Sequence, residues 1–344
     1  MNTTKPRLQY IDFMKGLCIL FIVIFHTWPQ GFDLLGSHVN YTLESFRIPM
    51  YYFISGIFFK PYGGFFDFTR RKVNNMIVPL VFFILLAAAL VWTVSHFPPL
   101  GQGFQAATWH NLLHQYWGFN IPLWFLLSLF EVNVVYYAMQ RYLPGMRWEA
   151  VTCLALSVLG YALAAHHVRL PYFVGTALLG LPFFVLGSLT HRLGGLQPHR
   201  LDRWGPLVLL VVLAAIYPFA RQIDFWRLVM PGYAYLYLVP PAAILSLLWA
   251  CKRLPRIPVI CYYGRYSLVV LGTHFPLKQL IANVLYALNG QQWPDYTLPL
   301  TCVILLIVEL PIIWLLIKLF PRFTAQEELF GPGWRLTRHQ STRN

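Results

Sequence analysis

The stretch MKGLCILFIVIFHTW, Met14 to Trp28, is an apolar run that opens on a lysine and carries a histidine eleven positions later. Hydrophobic on all sides, it belongs in a bilayer or a buried core. Lys15 and His26 are out of place in hydrocarbon, where an ionisable side chain costs on the order of 3 kcal/mol on insertion scales. At 100° per residue, eleven residues turn the helix three times plus about 20°, so the two share a face while the axial rise separates them by about 16 Å. Asp12, three residues before Lys15, lies near the same stripe. One line of the helix therefore carries a cation at its mouth and an imidazole near mid-membrane.

The rest of the chain agrees with a membrane solvent. Its 344 residues are 58% hydrophobic and 11% charged, which leaves a soluble domain too little charge to cover its apolar surface. Apolar runs near the bilayer-crossing length give ten expected spans: 13–33, 41–59, 77–97, 121–140, 150–167, 171–190, 205–221, 230–250, 264–288 and 298–320. The fold class expected is all-α, a polytopic membrane protein with both termini cytoplasmic. The expectation is one domain over 1–344, with a mobile basic tail over about 323–344. Asp12 and Lys15 before the first run, and no small-residue cleavage pattern after it, argue against a cleavable signal sequence.

The net charge of +14 raises nucleic acid as a partner, and its placement argues against it. With the N-terminus cytoplasmic and ten crossings, 21 of the 26 Lys and Arg residues fall on the cytoplasmic side or its rim. Arg47, Arg169, Arg221 and Arg227 fall outside, and Lys278 lies within a span. That is the positive-inside pattern, and it argues for an even number of spans. The five cysteines, Cys18, Cys153, Cys251, Cys261 and Cys302, show no CxxC and no metal-ligand spacing, so neither disulfide nor metal chemistry is expected.

Few other ionisable groups lie at membrane depth. Glu131 falls on span 4, His274 and Lys278 on span 9, and Glu309 on span 10. His274 and Lys278 are four apart, hence on one face, with Pro276 between them to loosen the backbone ladder. Either glutamate could pair with that cluster, since buried carboxylates are rarely left alone. Between spans 2 and 3, Pro61 and two glycines break the helix before Arg70, Arg71 and Lys72. Three adjacent cations can hold phosphates, the arginines by bidentate contacts, or can anchor the chain to anionic lipid. Lys15 likewise reads as a phosphate contact or a snorkelling anchor. Trp109, Trp117 and Trp124 suit an interfacial belt or a sugar-stacking surface. A neutral, desolvated His26 has the form a general base needs.

Several stretches, in order, resemble the acyltransferase 3 family of integral membrane acyltransferases. YIDFMKGLCILFIVIFHTW is similar to the family opening, with Lys15 on its basic position and His26 on its essential histidine. FRIPMYYFISGIFF matches the family's second helix through Pro49, Ser55 and Gly56. The run Arg70–Arg71–Lys72, then PLWFLLSLF (122–130), then GRYSLVVLGTHFPL (264–277) with His274 on a family histidine, complete the series. FISGIFF and PLWFLLSLF together resemble the branch related to fucose 4-O-acetylases. Lys15 departs from the arginine common at that position, and no appended extracytoplasmic hydrolase-like domain is expected, so the membrane part is expected to handle any acceptor itself.

The resemblance implies a ten-helix membrane domain of the bacterial inner membrane, an acyl-CoA donor such as acetyl-CoA, no metal, and a carbohydrate or glycolipid acceptor. His26 is expected to act as general base; a covalent acyl-His26 is the variant. Lys15, Arg70, Arg71 and Lys72 would hold coenzyme A phosphates. His274, with Glu309 or Lys278, would orient the acceptor or stabilise the oxyanion, and Glu131, Lys278 and Trp124 would contact it. The competing reading is a proton-coupled transporter using His26, Glu131, Glu309 and Lys278 as a relay, although no internal repeat of transporter type is visible. A catalytically idle scaffold in a polysaccharide assembly is a third.

Overall fold

A computed structural model describes residues 8–28, 37–290 and 297–330. Among the basic residues counted above, Lys5, Arg7, Arg335, Arg338 and Arg343 lie outside that set, as does 331–344 of the expected tail. The described chain is almost wholly helical. Its long elements are α1 (Gln9–Thr27), α2 (Ser37–Ile57), α3 (Phe65–Val94), α4 (Trp124–Tyr142), α5 (Met146–Ala165), α6 (Val174–Arg192), α7 (Gly205–Ile216), α8 (Tyr233–Cys251), the short α9 (Pro258–Arg265), α10 (Ser267–Leu288) and α11 (Thr297–Leu319).

Among the described residues, nine helices are long and apolar enough to cross a membrane. The sequence places a tenth span at 41–59. There α2 is 21 residues long but falls outside the nine, because His38, Asn40, Glu44 and Arg47 give its first half a polar face. Outward faces of several helices expose large apolar side chains, among them Leu154, Val158, Leu207, Leu210, Val303 and Ile307. Large apolar side chains exposed on several long apolar helices are suited to contact with lipid. The molecule is a multi-pass membrane protein.

α2 runs back antiparallel to α1. The Arg47 guanidinium lies 3.9 Å over the Phe25 ring near the end of α1, and Tyr51 Oη donates to the Lys15 carbonyl further along. α2 and α6 then approach backbone to backbone: Gly56 faces the Phe184 carbonyl and Gly187 the Phe53 carbonyl, so a Cβ at either would collide with main chain. Tyr52, Phe53, Tyr136, Phe183 and Phe184 fill the core beside this crossing. Its buried hydroxyls are satisfied in pairs, Tyr52 Oη with Ser128 Oγ (2.7 Å) and Tyr136 Oη donating to Ser188 Oγ (2.8 Å).

Two boundaries differ from the sequence reading. The break after α2 ends at Gly64, and the helix then runs unbroken from Phe65 to Val94, with a π-helical turn at Val73–Ile77. The basic run therefore rides on the same helix as the span expected at 77–97. The expected span 264–288 is interrupted at Tyr266, which leaves helical geometry (φ −111°, ψ 26°) between α9 and α10. This bend lets α9 pack along α1 while α10 crosses the bundle.

The segment 96–120 folds onto the protein as a cap. Asn283 donates to the carbonyls of Leu100 and Gln102, and buried Asn120 donates to the Gly272 carbonyl (2.7 Å). Phe119 is buried near Ala87 and Val91. Trp109 projects outward, 80% exposed, while Trp117 packs edge-on against Phe173 (5.1 Å).

Candidate functional site

A cavity of about 570 Å³ runs through the bundle interior. Lys15, Ser55, Phe58, Asn75, Met76 and Ser267 line one end. His26, Arg47, Trp124, Asp224, Trp226 and Arg227 line the other. α1 supplies both Lys15 and His26, so its helical rise sets the distance between the two ends.

His26 sits in the last turn of α1, half-buried, between Phe25 (5.4 Å between ring centroids), Phe275 (6.0 Å) and the His274 ring (5.4 Å). A helix leaves its last four carbonyls without internal partners. Here Lys278 Nζ takes up the carbonyl of His26 itself at 2.7 Å, placing a cation at the negative end of the helix dipole. The same ammonium lies 4.4 Å from the Phe275 ring centroid. Lys278 thus acts on the backbone of His26 and does not line the cavity.

His274 lies behind His26, fully buried. Its Nδ1 is 2.8 Å from the Val270 carbonyl, which can only accept, so Nδ1 carries the proton and Nε2 the lone pair. Nε2 is buried with no hydrogen-bond partner among the described residues. Glu309 is elsewhere. Fully buried on α11, it accepts from the Thr273 hydroxyl through both oxygens (3.0 and 2.9 Å) and does not reach the cavity. Glu131 is half-buried on α4, also outside the cavity, with Oε2 unpartnered among the described residues. The structure therefore joins His26, His274 and Lys278 into one cluster and leaves both glutamates out of it.

Trp124 does line the cavity, in an aromatic wall with Trp226 (6.3 Å) and Phe173 (5.8 Å). Sequence reasoning missed the rest of this end. Glu44 and Arg47, one turn apart on α2, form a buried ion pair (3.1 Å), and Glu44 Oε2 accepts from the Ile223 amide (3.4 Å). The loop 221–230 folds over them. Asp224 and Val229 exchange backbone bonds, and Asp224 Oδ1 accepts from the amides of Trp226 and Arg227. Arg47 Nη1 is buried without a partner among the described residues. The signal available was that Arg47 and Arg227 break the positive-inside pattern.

At the opposite end, Arg70 and Arg71 precede the π-turn whose Asn75 and Met76 line the cavity. Both arginines hold Asp67 (2.7 and 3.2 Å) and Glu328 (2.6 and 3.0 Å). Lys72 is buried with Nζ 5.6 Å from the Phe68 ring centroid. No group of three or more His, Cys, Asp or Glu residues able to hold a metal ion occurs among the described residues.

The fold and site define a helical membrane protein with an interior cavity lined by Lys15 and His26 from one helix. The sequence matches the acyltransferase 3 family, an acyltransferase domain, over residues 8–318, and the chain belongs to that family. It is a membrane acyltransferase. No curated protein and no solved structure matches the chain.

Proposed function

We propose that the protein transfers an acyl group, acetyl being the simplest, from acyl-CoA to a hydroxyl of a carbohydrate or glycolipid. The observation that carries this reading is that one cavity is lined by Lys15 at one end and His26 at the other. Coenzyme A phosphates stay with Lys15, Arg70 and Arg71 at the cytoplasmic face, and the pantetheine arm extends along α1 until the thioester meets His26. The concentration of basic residues at that face supports its cytoplasmic placement in a bacterial inner membrane.

The acceptor enters from the His26 end. An aromatic wall of Trp124 and Trp226 beside the Glu44–Arg47 pair and Asp224 is suited to a sugar ring, offering apolar faces together with hydrogen-bond donors and acceptors. His26 takes the acceptor proton as the hydroxyl oxygen attacks the thioester carbon. The tetrahedral adduct collapses with cleavage of the C–S bond, and the thiolate recovers the proton from His26. Holding both substrates in one cavity supplies the proximity. Lys278 and His274 are positioning residues: the first fixes the main chain of His26, the second backs its ring.

The test is acyl transfer by purified protein in lipid nanodiscs, given acetyl-CoA and glycan acceptors. His26→Ala should lower turnover by about 10²–10⁴-fold with coenzyme A binding and helical content retained. Transfer that persists in His26→Ala would overturn the assignment.

A further inference from the structure

Past the end of α11 the chain turns back and lays Glu328 and Phe330 against the basic face of α3. Glu328 spans both arginines, Oε2 on Arg70 Nη1 (2.6 Å) and Oε1 on Arg71 Nη1 (3.0 Å). The Phe330 carbonyl accepts from Arg70 Nη1 (2.7 Å) and from Asn74 Nδ2 (3.1 Å), and the Phe330 amide donates to Asn74 Oδ1 (2.8 Å). Five bonds thus tie a stretch of three residues to one face of α3, just ahead of the π-turn residues that line the cavity.

The chemistry of that seat is telling. Two guanidinium groups that converge on one carboxylate, beside an amide that can donate, are arranged for an anion with several oxygens. Asp67 and Glu328 together balance the charges of Arg70 and Arg71, so an incoming phosphate meets a neutralised pair. The ion pairs are also partly solvated, with side-chain exposures of 14% for Arg70, 36% for Arg71 and 34% for Glu328. The Arg71–Glu328 pair is solvated on both sides and so the weaker of the two, which gives an incoming anion a place to begin the exchange.

We propose that this segment is a self-inhibitory strap: the Glu328 carboxylate and the Phe330 carbonyl occupy the position of the donor's phosphate oxygens, and acyl-CoA must displace them to engage Arg70 and Arg71. The inference rests on the reading of these arginines as the donor's phosphate contacts. Asp67 stays with the arginines on their own helix, whereas Glu328 belongs to a separate segment that follows α11 and meets them across the fold. Donor binding and the closed strap are therefore mutually exclusive.

Steady-state kinetics with acetyl-CoA distinguish the two layers of this claim. Glu328→Gln removes the competing charge and should lower the KM for acetyl-CoA about fivefold with kcat unchanged, while Arg70→Ala and Arg71→Ala should raise KM. An unchanged or raised KM in Glu328→Gln, alongside a raised KM in the arginine variants, would overturn the strap and leave the donor reading standing. An unchanged KM in both arginine variants would overturn the donor reading and the strap with it. In the wild-type protein, saturating coenzyme A should speed hydrogen exchange at the Phe330 amide, which is now held by Asn74; undiminished protection would also overturn the strap.

Discussion

His26 is useful because it stands at a helix end. Its side chain faces the cavity while its own carbonyl, one of the four that α1 cannot satisfy, is taken by Lys278. Replacing Lys278 with methionine keeps the apolar stem and removes the charge that caps the helix. Lys278→Met is expected to lower kcat about tenfold through misplacement of the imidazole, with the KM for acetyl-CoA little changed; a kinetic comparison with wild type checks this split. The i,i+4 spacing of His274 and Lys278 revealed a shared face, but not that one would back the ring and the other hold the backbone. Glu309 shows the limit of such reasoning. Its partner is the neighbouring Thr273 hydroxyl, and a threonine one residue from a conspicuous histidine gives no sign of that in the sequence.

Elements are positioned by small local features. α2 carries Arg47, Tyr51 and Ser55 to the cavity wall, and its depth against α6 is set where Gly56 and Gly187 meet opposing carbonyls. Gly187→Leu must push the helices apart against close-packed aromatic residues. Overpacking of a core costs about 1–3 kcal/mol, so the melting temperature in detergent should fall, and donor turnover with it, as α2 is displaced; thermal denaturation with an activity assay measures both. The π-turn of α3 has a complementary effect. By inserting wider turns between Arg71 and Val78, it changes the facing of the basic run relative to the apolar helix beyond it. The Pro61 and glycine break was legible from composition. The π-turn, made by the unremarkable residues VNNMI, was not.

At the scale of the molecule, the residues lining the cavity fall at its Lys15 end and its His26 end, which the proposed function assigns to donor and acceptor. Asn75 is exposed at the Lys15 end and Gln222 lies half-buried in the loop near Arg227. Single cysteines at these positions should react with membrane-impermeant thiol reagents from opposite sides of sealed vesicles. Asn75→Cys is expected to label from the cytoplasmic face and Gln222→Cys from the outer face, and acetyl-CoA should protect the first selectively. Four of the five native cysteines are buried, which favours a low background. Labelling of both from one face would contradict the two-ended cavity proposed for donor and acceptor.

The sequence by itself determined the helical membrane class, most of the crossings, the family, and the line joining Lys15 to His26. Each follows from local composition or from the fixed period of a helix, quantities that neighbouring residues fully specify. Tertiary structure decided which lines face one another. It seated the loop 221–230 over the Glu44–Arg47 pair, separated both glutamates from the histidines, and brought Glu328 back across some 250 residues to Arg70 and Arg71. Those outcomes depend on packing between distant segments, where a carboxylate takes the nearest donor that burial leaves available, and no periodicity along the chain encodes that choice.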